Sequence, residues 1–196
     1  MPDITGVILA GGRGRRMGGQ DKGLLEIDGS PLIMRTIEIL KPQVGRLVVN
    51  ANRNLERYRD LGFPVVQDVV GDFFGPLVGM ASALEATTTP YLLTAPCDSP
   101  LLPADLCARL YNALKRGDAE ISVAHDGTRM QPVFALLRRE LLPDLLSYLE
   151  NGGRKIDTWY AEHRFALADF SDRPKAFFNI NTPEEWTALK EGKDDR

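Results

Sequence analysis

The residues best suited to chemistry lie close together near the start of the chain. Arg13, Arg15, Arg16 and Lys22 are interleaved with Gly11, Gly12, Gly14, Gly18 and Gly19, and one carboxylate, Asp21, stands among them. From Arg13 to Lys22 this gives a local charge of +3 in a chain whose formal net charge is −3. Glycines let backbone N–H groups approach an anion and adopt positive φ. Arginines add bidentate donors and a lysine adds a point charge. Together they suit a di- or triphosphate. The alternative is a basic surface loop whose glycines serve only its turns.

Two familiar phosphate motifs do not fit. A Walker A loop needs Ser or Thr after its lysine, and Lys22 is followed by Gly23. The dinucleotide fingerprint would begin at Gly12-Arg13-Gly14, but its third glycine falls on Met17. The next strand-like run then ends in Asn50, where that fingerprint wants an acid for the ribose.

Three further polar residues follow short apolar runs. Asp98 stands after the run beginning at Tyr91, and Mg²⁺ is commonly held by one or two carboxylates plus substrate phosphates. Its competing role is a turn or N-cap aspartate beside Pro96 and Pro100. Asn50 and Asp68 end two other runs, and as generic strand-end residues they would bond local backbone. His125 and His163 have no partners in sequence that would make a zinc site or a triad, and Cys97 reads as a small packed side chain.

These positions share an architectural address. Apolar runs at 6–10, 47–49, 65–66, 91–93, 121–123 and 133–137 read as buried strands, most of them separated by amphipathic stretches long enough for a helix. Leu32, Ile33, Ile37 and Leu40 make one apolar stripe; Leu77, Met80 and Leu84 make another. Ser30-Pro31 is expected to open the first helix as N-cap and N1, Pro76 to be N1 of the second, and Thr182-Pro183-Glu184-Glu185 to be a capping box opening the last. Alternating strands and helices imply an α/β fold, a single Rossmann-like three-layer domain over 1–196 with a mostly parallel sheet. Asp126-Gly127 is a hairpin signal and predicts one antiparallel strand. In open parallel sheets ligands bind beyond the carboxyl ends of the strands. The glycine- and arginine-rich loop, Asn50, Asp68 and Asp98 all fall there.

The bulk properties exclude other classes. A hydrophobic fraction of 43% with 26% charged residues is that of an ordinary globular protein. The acidic balance argues against a nucleic-acid binder or a basic membrane-surface protein. No apolar stretch approaches the ~18 residues of a membrane span. Cys97 and Cys107 are the two cysteines, and no basic, then apolar leader precedes the first run, so a cytoplasmic location is expected.

The loop resembles the signature of the molybdenum cofactor guanylyltransferases, which attach GMP to molybdopterin. Leu9-Ala10-Gly11-Gly12, Arg16-Met17-Gly18-Gly19 and Asp21-Lys22-Gly23 carry the likeness. It continues through Val49-Asn50-Ala51-Asn52, Gly75-Pro76-Leu77-Val78-Gly79, Pro96-Cys97-Asp98 and Asn179-Ile180-Asn181-Thr182-Pro183-Glu184-Glu185, and so spans nearly the whole chain. The resemblance implies a nucleotidyltransferase fold, with GTP and molybdopterin or molybdenum cofactor as substrates and Mg²⁺ as cofactor. It also implies that other cofactor-biosynthesis proteins or molybdoenzymes are partners. Leu9, Ala10, Gly11, Gly12, Lys22, Asn50, Asp68 and Asp98 would bind the nucleotide. Lys22, Arg16 and Asp98 would be catalytic, with Asp98 on the metal and Asp21 orienting Lys22. Gly75, Gly79, Arg154, Asn179 and Asn181 would face the acceptor. Residues 1–100 would mainly hold the nucleotide, and 101–190 mainly the acceptor.

Guanine offers two adjacent donors, N1–H and its N2 amino group, and a carboxylate can accept both. With Asp98 on the metal, Asp68 is the carboxylate expected to read the base. Two rivals stand beside this reading. One is a cytidylyltransferase or sugar-phosphate nucleotidyltransferase of the same fold; the other is a non-catalytic carrier of molybdenum cofactor.

Overall fold

Ile4, Thr5, Val7 and Ile8 are all buried along β1 (Ile4–Leu9), so this strand needs cover on both faces. The computed structural model, which describes residues 1–12, 21–68 and 75–191, places it in the middle of a sheet. In chain order follow β2 (Glu26–Ile27), β3 (Ser30–Pro31), α1 (Leu32–Leu40), β4 (Arg46–Asn50), α2 (Leu55–Arg59) and β5 (Val65–Val66). Next come α3 (Pro76–Glu85), β6 (Tyr91–Pro96), α4 (Leu106–Arg116), β7 (Ile121–His125) and β8 (Met130–Arg138). The chain finishes with α5 (Leu142–Glu150), α6 (Ile156–Ala161), β9 (Phe165–Asp169) and α7 (Pro183–Lys190). The main sheet has the order β5-β4-β1-β6-β8-β7-β9. Its pairings are parallel except those of β8, which runs antiparallel to both β6 and β7. The expected single antiparallel strand is therefore present.

Alternation along the strands sorts side chains into two apolar layers. Ile4, Ile8, Leu47, Val49, Leu93 and Leu136 join Ile33, Ile37 and Leu40 of α1 and Leu106 and Leu110 of α4 on one face. Val7, Val48, Leu92, Ala135 and Leu137 join Leu77, Met80 and Leu84 of α3, Leu145 and Leu149 of α5, and Trp159 and Tyr160 of α6 on the other. This makes the three-layer sandwich. The chain leaves β1 for β4 and β5 on one side, then returns to place β6 on the other. The strand order thus reverses at β1, where doubly wound sheets open a crevice for ligands.

Local chemistry explains two of the element ends. Pro76 is N1 of α3, after Gly75 at φ 130°. At the β7–β8 hairpin, Asp126 Oδ1 accepts the N–H groups of Thr128 and Arg129, both at 2.8 Å, and Gly127 takes φ 95°. Three details differ from the sequence reading. Ser30 and Pro31 do not act as N-cap and N1 of α1: they pair with Glu26–Ile27 as β3, and Pro31 is itself the cap residue. The turn between these strands is Asp28-Gly29, both at positive φ, so it carries the same signal as Asp126-Gly127. In the last helix, Thr182 Oγ1 accepts the N–H of Glu185 as a capping box requires, but Glu185 returns its bond to the N–H of Asn181, one residue earlier than the motif prescribes. Finally β9 is an additional edge strand, parallel to β7, with Phe165 and Leu167 exposed. Among the described residues no helix is long and apolar enough to cross a membrane.

Candidate active site

The registers bring three strand ends level. Leu9 of β1 lies opposite Asn50 of β4 on one side and Pro96 of β6 on the other. The backbone carries the alignment one residue further: Ala10 N–H donates to Asn50 O at 2.8 Å, and Cys97 N–H to Leu9 O at 3.2 Å. Leu9, Ala10, Gly11 and Gly12 therefore emerge between the residues that follow Asn50 and those that follow Pro96. Arg16 and the rest of residues 13–20 lie outside the described residues.

Beyond β1 and β6, Lys22, Asp98 and Asn181 converge. Lys22 opens a short 3-10 turn (Lys22–Leu24), and its ammonium donates to Asp98 Oδ2 at 3.0 Å and to Asn181 Oδ1. Asp98 is buried, at 7% exposure, on the connection after β6. The chain segment before α7 is laid against this connection: Ile180 N–H donates to Asp98 O at 2.8 Å, and Ser99 Oγ to Asn179 Oδ1 at 2.7 Å. The Asn181 amide is oriented by Glu185, whose Oε2 accepts Asn181 Nδ2 at 3.2 Å, leaving the amide oxygen for the lysine.

Beyond β4 and β5 a second group forms. Asp68 Oδ1 accepts Asn50 Nδ2 at 2.9 Å, and Oδ2 accepts Asn52 Nδ2 at 2.7 Å. Asn52 Oδ1 in turn takes the Asp68 N–H at 2.9 Å. Gly11 faces this cluster, since a Cβ there would meet Asn52 Nδ2 at 2.9 Å and Asn50 Oδ1 at 3.2 Å. Gly79 has a different neighbourhood from the acceptor-side one expected of it. It is buried on α3, where a Cβ would overlap Asn50 Oδ1 and lie 2.9 Å from Leu9 Cδ2, so it belongs with the Asn50 group. Gly75 is the exposed cap residue of α3. Exposed Arg154 donates to Leu149 O at 2.8 Å, closing the last turn of α5.

Asp21 also departs from expectation. Its carboxylate does not serve Lys22; Oδ1 accepts the Tyr58 hydroxyl at 2.5 Å and Oδ2 accepts Asn54 Nδ2 at 3.0 Å. Tyr58, Asn54 and Asn52 are neighbours of these carboxylates that sequence reasoning did not single out. Tyr58 sits at a core-facing helical position, and nothing in its spacing marks its hydroxyl. Cys97 is fully packed, and burial first, then Asp98 and Asp21 nearby, push its thiol well above the usual range. A thiol held protonated does not act as a nucleophile.

The arrangement fits a divalent cation. Asp98 Oδ1 is buried without a hydrogen-bond partner among the described residues, an acceptor that the protein leaves unused beside a second carboxylate oxygen held by a cation. No group of three or more His, Cys, Asp or Glu side chains placed to hold a metal ion occurs among the described residues. The donor set is one carboxylate with neighbouring amides, the kind of site that Mg²⁺ completes with phosphate oxygens and water.

A reversed α/β sheet, a glycine-lined crevice and a lysine–carboxylate pair at its carboxyl edge suit the phosphates of a nucleotide. The family described as the MobA-like NTP transferase domain matches residues 6–165. A molybdenum cofactor guanylyltransferase from Shewanella sp. (strain MR-4) is 56% identical over 182 residues, 93% of this chain and 92% of that protein. Another, from Shewanella loihica, is 50% identical over 190 residues, 97% of each chain. Among solved structures, molybdopterin-guanine dinucleotide biosynthesis protein A from Archaeoglobus fulgidus has the same fold, with a TM-score of 0.76, 22% identity, and coverage of 96% of this chain and 97% of that one. The chain belongs to the MobA-like NTP transferase family.

Proposed function

We propose that this chain transfers GMP from GTP to the terminal phosphate of a molybdopterin-type cofactor, releasing pyrophosphate, in the cytoplasm. The observation that carries the reading is the meeting of Lys22, Asp98 and Asn181, drawn from three distant parts of the chain. The names of the curated relatives supply the base and the acceptor.

The acceptor's phosphate oxygen attacks the α-phosphorus of GTP. Its bond to phosphorus forms as the bond to the α,β-bridging oxygen breaks, and pyrophosphate leaves with that electron pair. The attacking oxygen is already anionic, so no general base is required; alignment and charge neutralisation carry the rate. Lys22, with Arg16, would hold the triphosphate and stabilise the charge that builds on pyrophosphate. Backbone groups of Leu9, Ala10, Gly11 and Gly12 would line the donor. Asn50 and Asp68 would hold the base and ribose, Asp68 reading guanine. Asp98, whose Oδ1 has no partner among the described residues, would hold Mg²⁺, which when bound supplies Lewis-acid chemistry at the donor phosphates. Gly75, Arg154, Asn179 and Asn181 would face the acceptor. On this reading 1–100 serve mainly the nucleotide and 101–190 the acceptor, and molybdoenzymes or other cofactor-biosynthesis proteins receive the product.

The test is to mix the protein with Mg²⁺, GTP and molybdopterin and to assay pyrophosphate. Release with GTP, and little with ATP or CTP, supports the proposal. A preference for CTP would make the chain a cytidylyltransferase, and nucleotide binding without pyrophosphate release would make it a carrier.

A further inference from the structure

The two described flanks of the phosphate-loop sequence, Gly12 and Asp21, are tied to one short stretch of chain. Arg53 donates to Gly12 O at 3.0 Å. Asn54 and Tyr58, at the start of α2 and one turn on, hold the two oxygens of Asp21. The Tyr58 ring is fully buried, and its hydroxyl reaches Asp21 past Gly23, where a Cβ would stand 2.6 Å from Tyr58 Oη. The glycine after Lys22 therefore leaves the passage through which the tyrosine reaches the aspartate. Burial, with Cys97 and Asp21 close by, pushes the Tyr58 hydroxyl far above the usual tyrosine range, so it remains a proton donor throughout the working pH range.

Asp21 is the carboxylate adjacent in sequence to Lys22, and a free carboxylate there would compete with phosphate for the ammonium. We infer that Tyr58, assisted by Asn54, is a positioning residue that sequesters the Asp21 carboxylate and so leaves the third N–H of the Lys22 ammonium, beside those given to Asp98 and Asn181, to the donor phosphates. The inference rests on the proposed role of Lys22.

The experiment compares Tyr58→Phe, Asp21→Asn, the double variant and Lys22→Ala by steady-state pyrophosphate release with GTP, Mg²⁺ and molybdopterin. Tyr58→Phe keeps the buried ring, and kcat is expected to fall on the order of 10-fold or more, the scale on which a displaced catalytic group slows reaction, with a smaller change in KM for GTP. The double variant is expected to be several-fold faster than Tyr58→Phe, because the released side chain no longer carries a charge. A merely structural hydrogen bond would lower the thermal midpoint of Tyr58→Phe and leave its kcat near the wild-type value. Tyr58→Phe within about twofold of wild type, or a double variant no faster than Tyr58→Phe, overturns the inference. Lys22→Ala separates the two levels: if it retains wild-type turnover, the role of Lys22 itself fails.

Discussion

The side-chain oxygen of Asn181 accepts a hydrogen bond from the ammonium of Lys22, 159 positions earlier in the chain. The same ammonium is paired with Asp98, so the segment before the last helix, the loop after β1 and the turn after β6 meet on one cation. Glu185 fixes which end of the Asn181 amide faces the lysine. The ammonium thus stands beside the unpartnered Oδ1 of Asp98, a cationic donor next to an open anionic acceptor.

Lys22→Ala should lower kcat on the order of 10²–10³-fold, the usual cost of removing one preorganised charge-stabilising contact. The lysine is also the ammonium paired with the buried Asp98 carboxylate, so its removal leaves that charge uncompensated and the thermal midpoint should fall as well. Lys22→Arg should recover little, because a planar fork cannot reproduce a point charge held between Asp98 and Asn181. Pyrophosphate release and a melting curve check both statements.

Asp98→Asn keeps the shape and loses the charge. It should be nearly as inactive as Asp98→Ala, with no recovery at high Mg²⁺. A variant running at the wild-type rate with an unchanged Mg²⁺ titration would place the metal elsewhere.

Asp68→Asn should reduce kcat/KM for GTP by about one to two decades, as for a buried polar group left unpaired, and by less for ATP and CTP. The structure adds a competing outcome, because Asp68 also accepts the amides of Asn50 and Asn52. An equal loss with all three nucleotides would mean that Asp68 only holds those two side chains in place.

Gly79→Ala sets two effects against each other. Replacing a helix-interior glycine gains about 1 kcal/mol of propensity. Against that, the new methyl would overlap Asn50 Oδ1 and lie 2.9 Å from Leu9 Cδ2, and overpacking of this kind costs about 1–3 kcal/mol. Overpacking should win, giving a lower thermal midpoint together with a raised KM for GTP, since the displaced side chain is Asn50. An unchanged KM would remove Asn50 from the nucleotide site.

The parts of this molecule that could be read in its sequence are those encoded locally. The run from Gly6 into Gly11-Gly12 contains both a buried strand and the loop that follows it. Asp126-Gly127 announces its hairpin because the Asp126 side chain bonds the turn's own backbone. The Asp28-Gly29 turn carries the same signal but closes strands of only two residues, too short for any alternation to register. β9 escaped because it lies at the sheet edge: Phe165 and Leu167 face solvent while Ala166 and Ala168 pack inward, which inverts the pattern of a half-buried strand. In the site, Lys22 and Asp98 could be placed by motif and strand end, but their pairing and the arrival of Asn181 are products of topology. The role of Tyr58 was hidden for another reason. Its ring fills a core position, and only its last atom touches the site.

The central place of β1 has a consequence for how the protein comes to exist. During synthesis this strand acquires its first neighbour when β4 appears, and Ile4 waits for Tyr91 before its second edge is covered. Until then a nascent chain carries Val7 and Ile8 in a strand with one open side, the kind of edge that recruits other chains. Every chain stopped before β6 is left in that state. Synthesis through Pro96 is therefore the earliest point at which the two edges of β1 can both be paired.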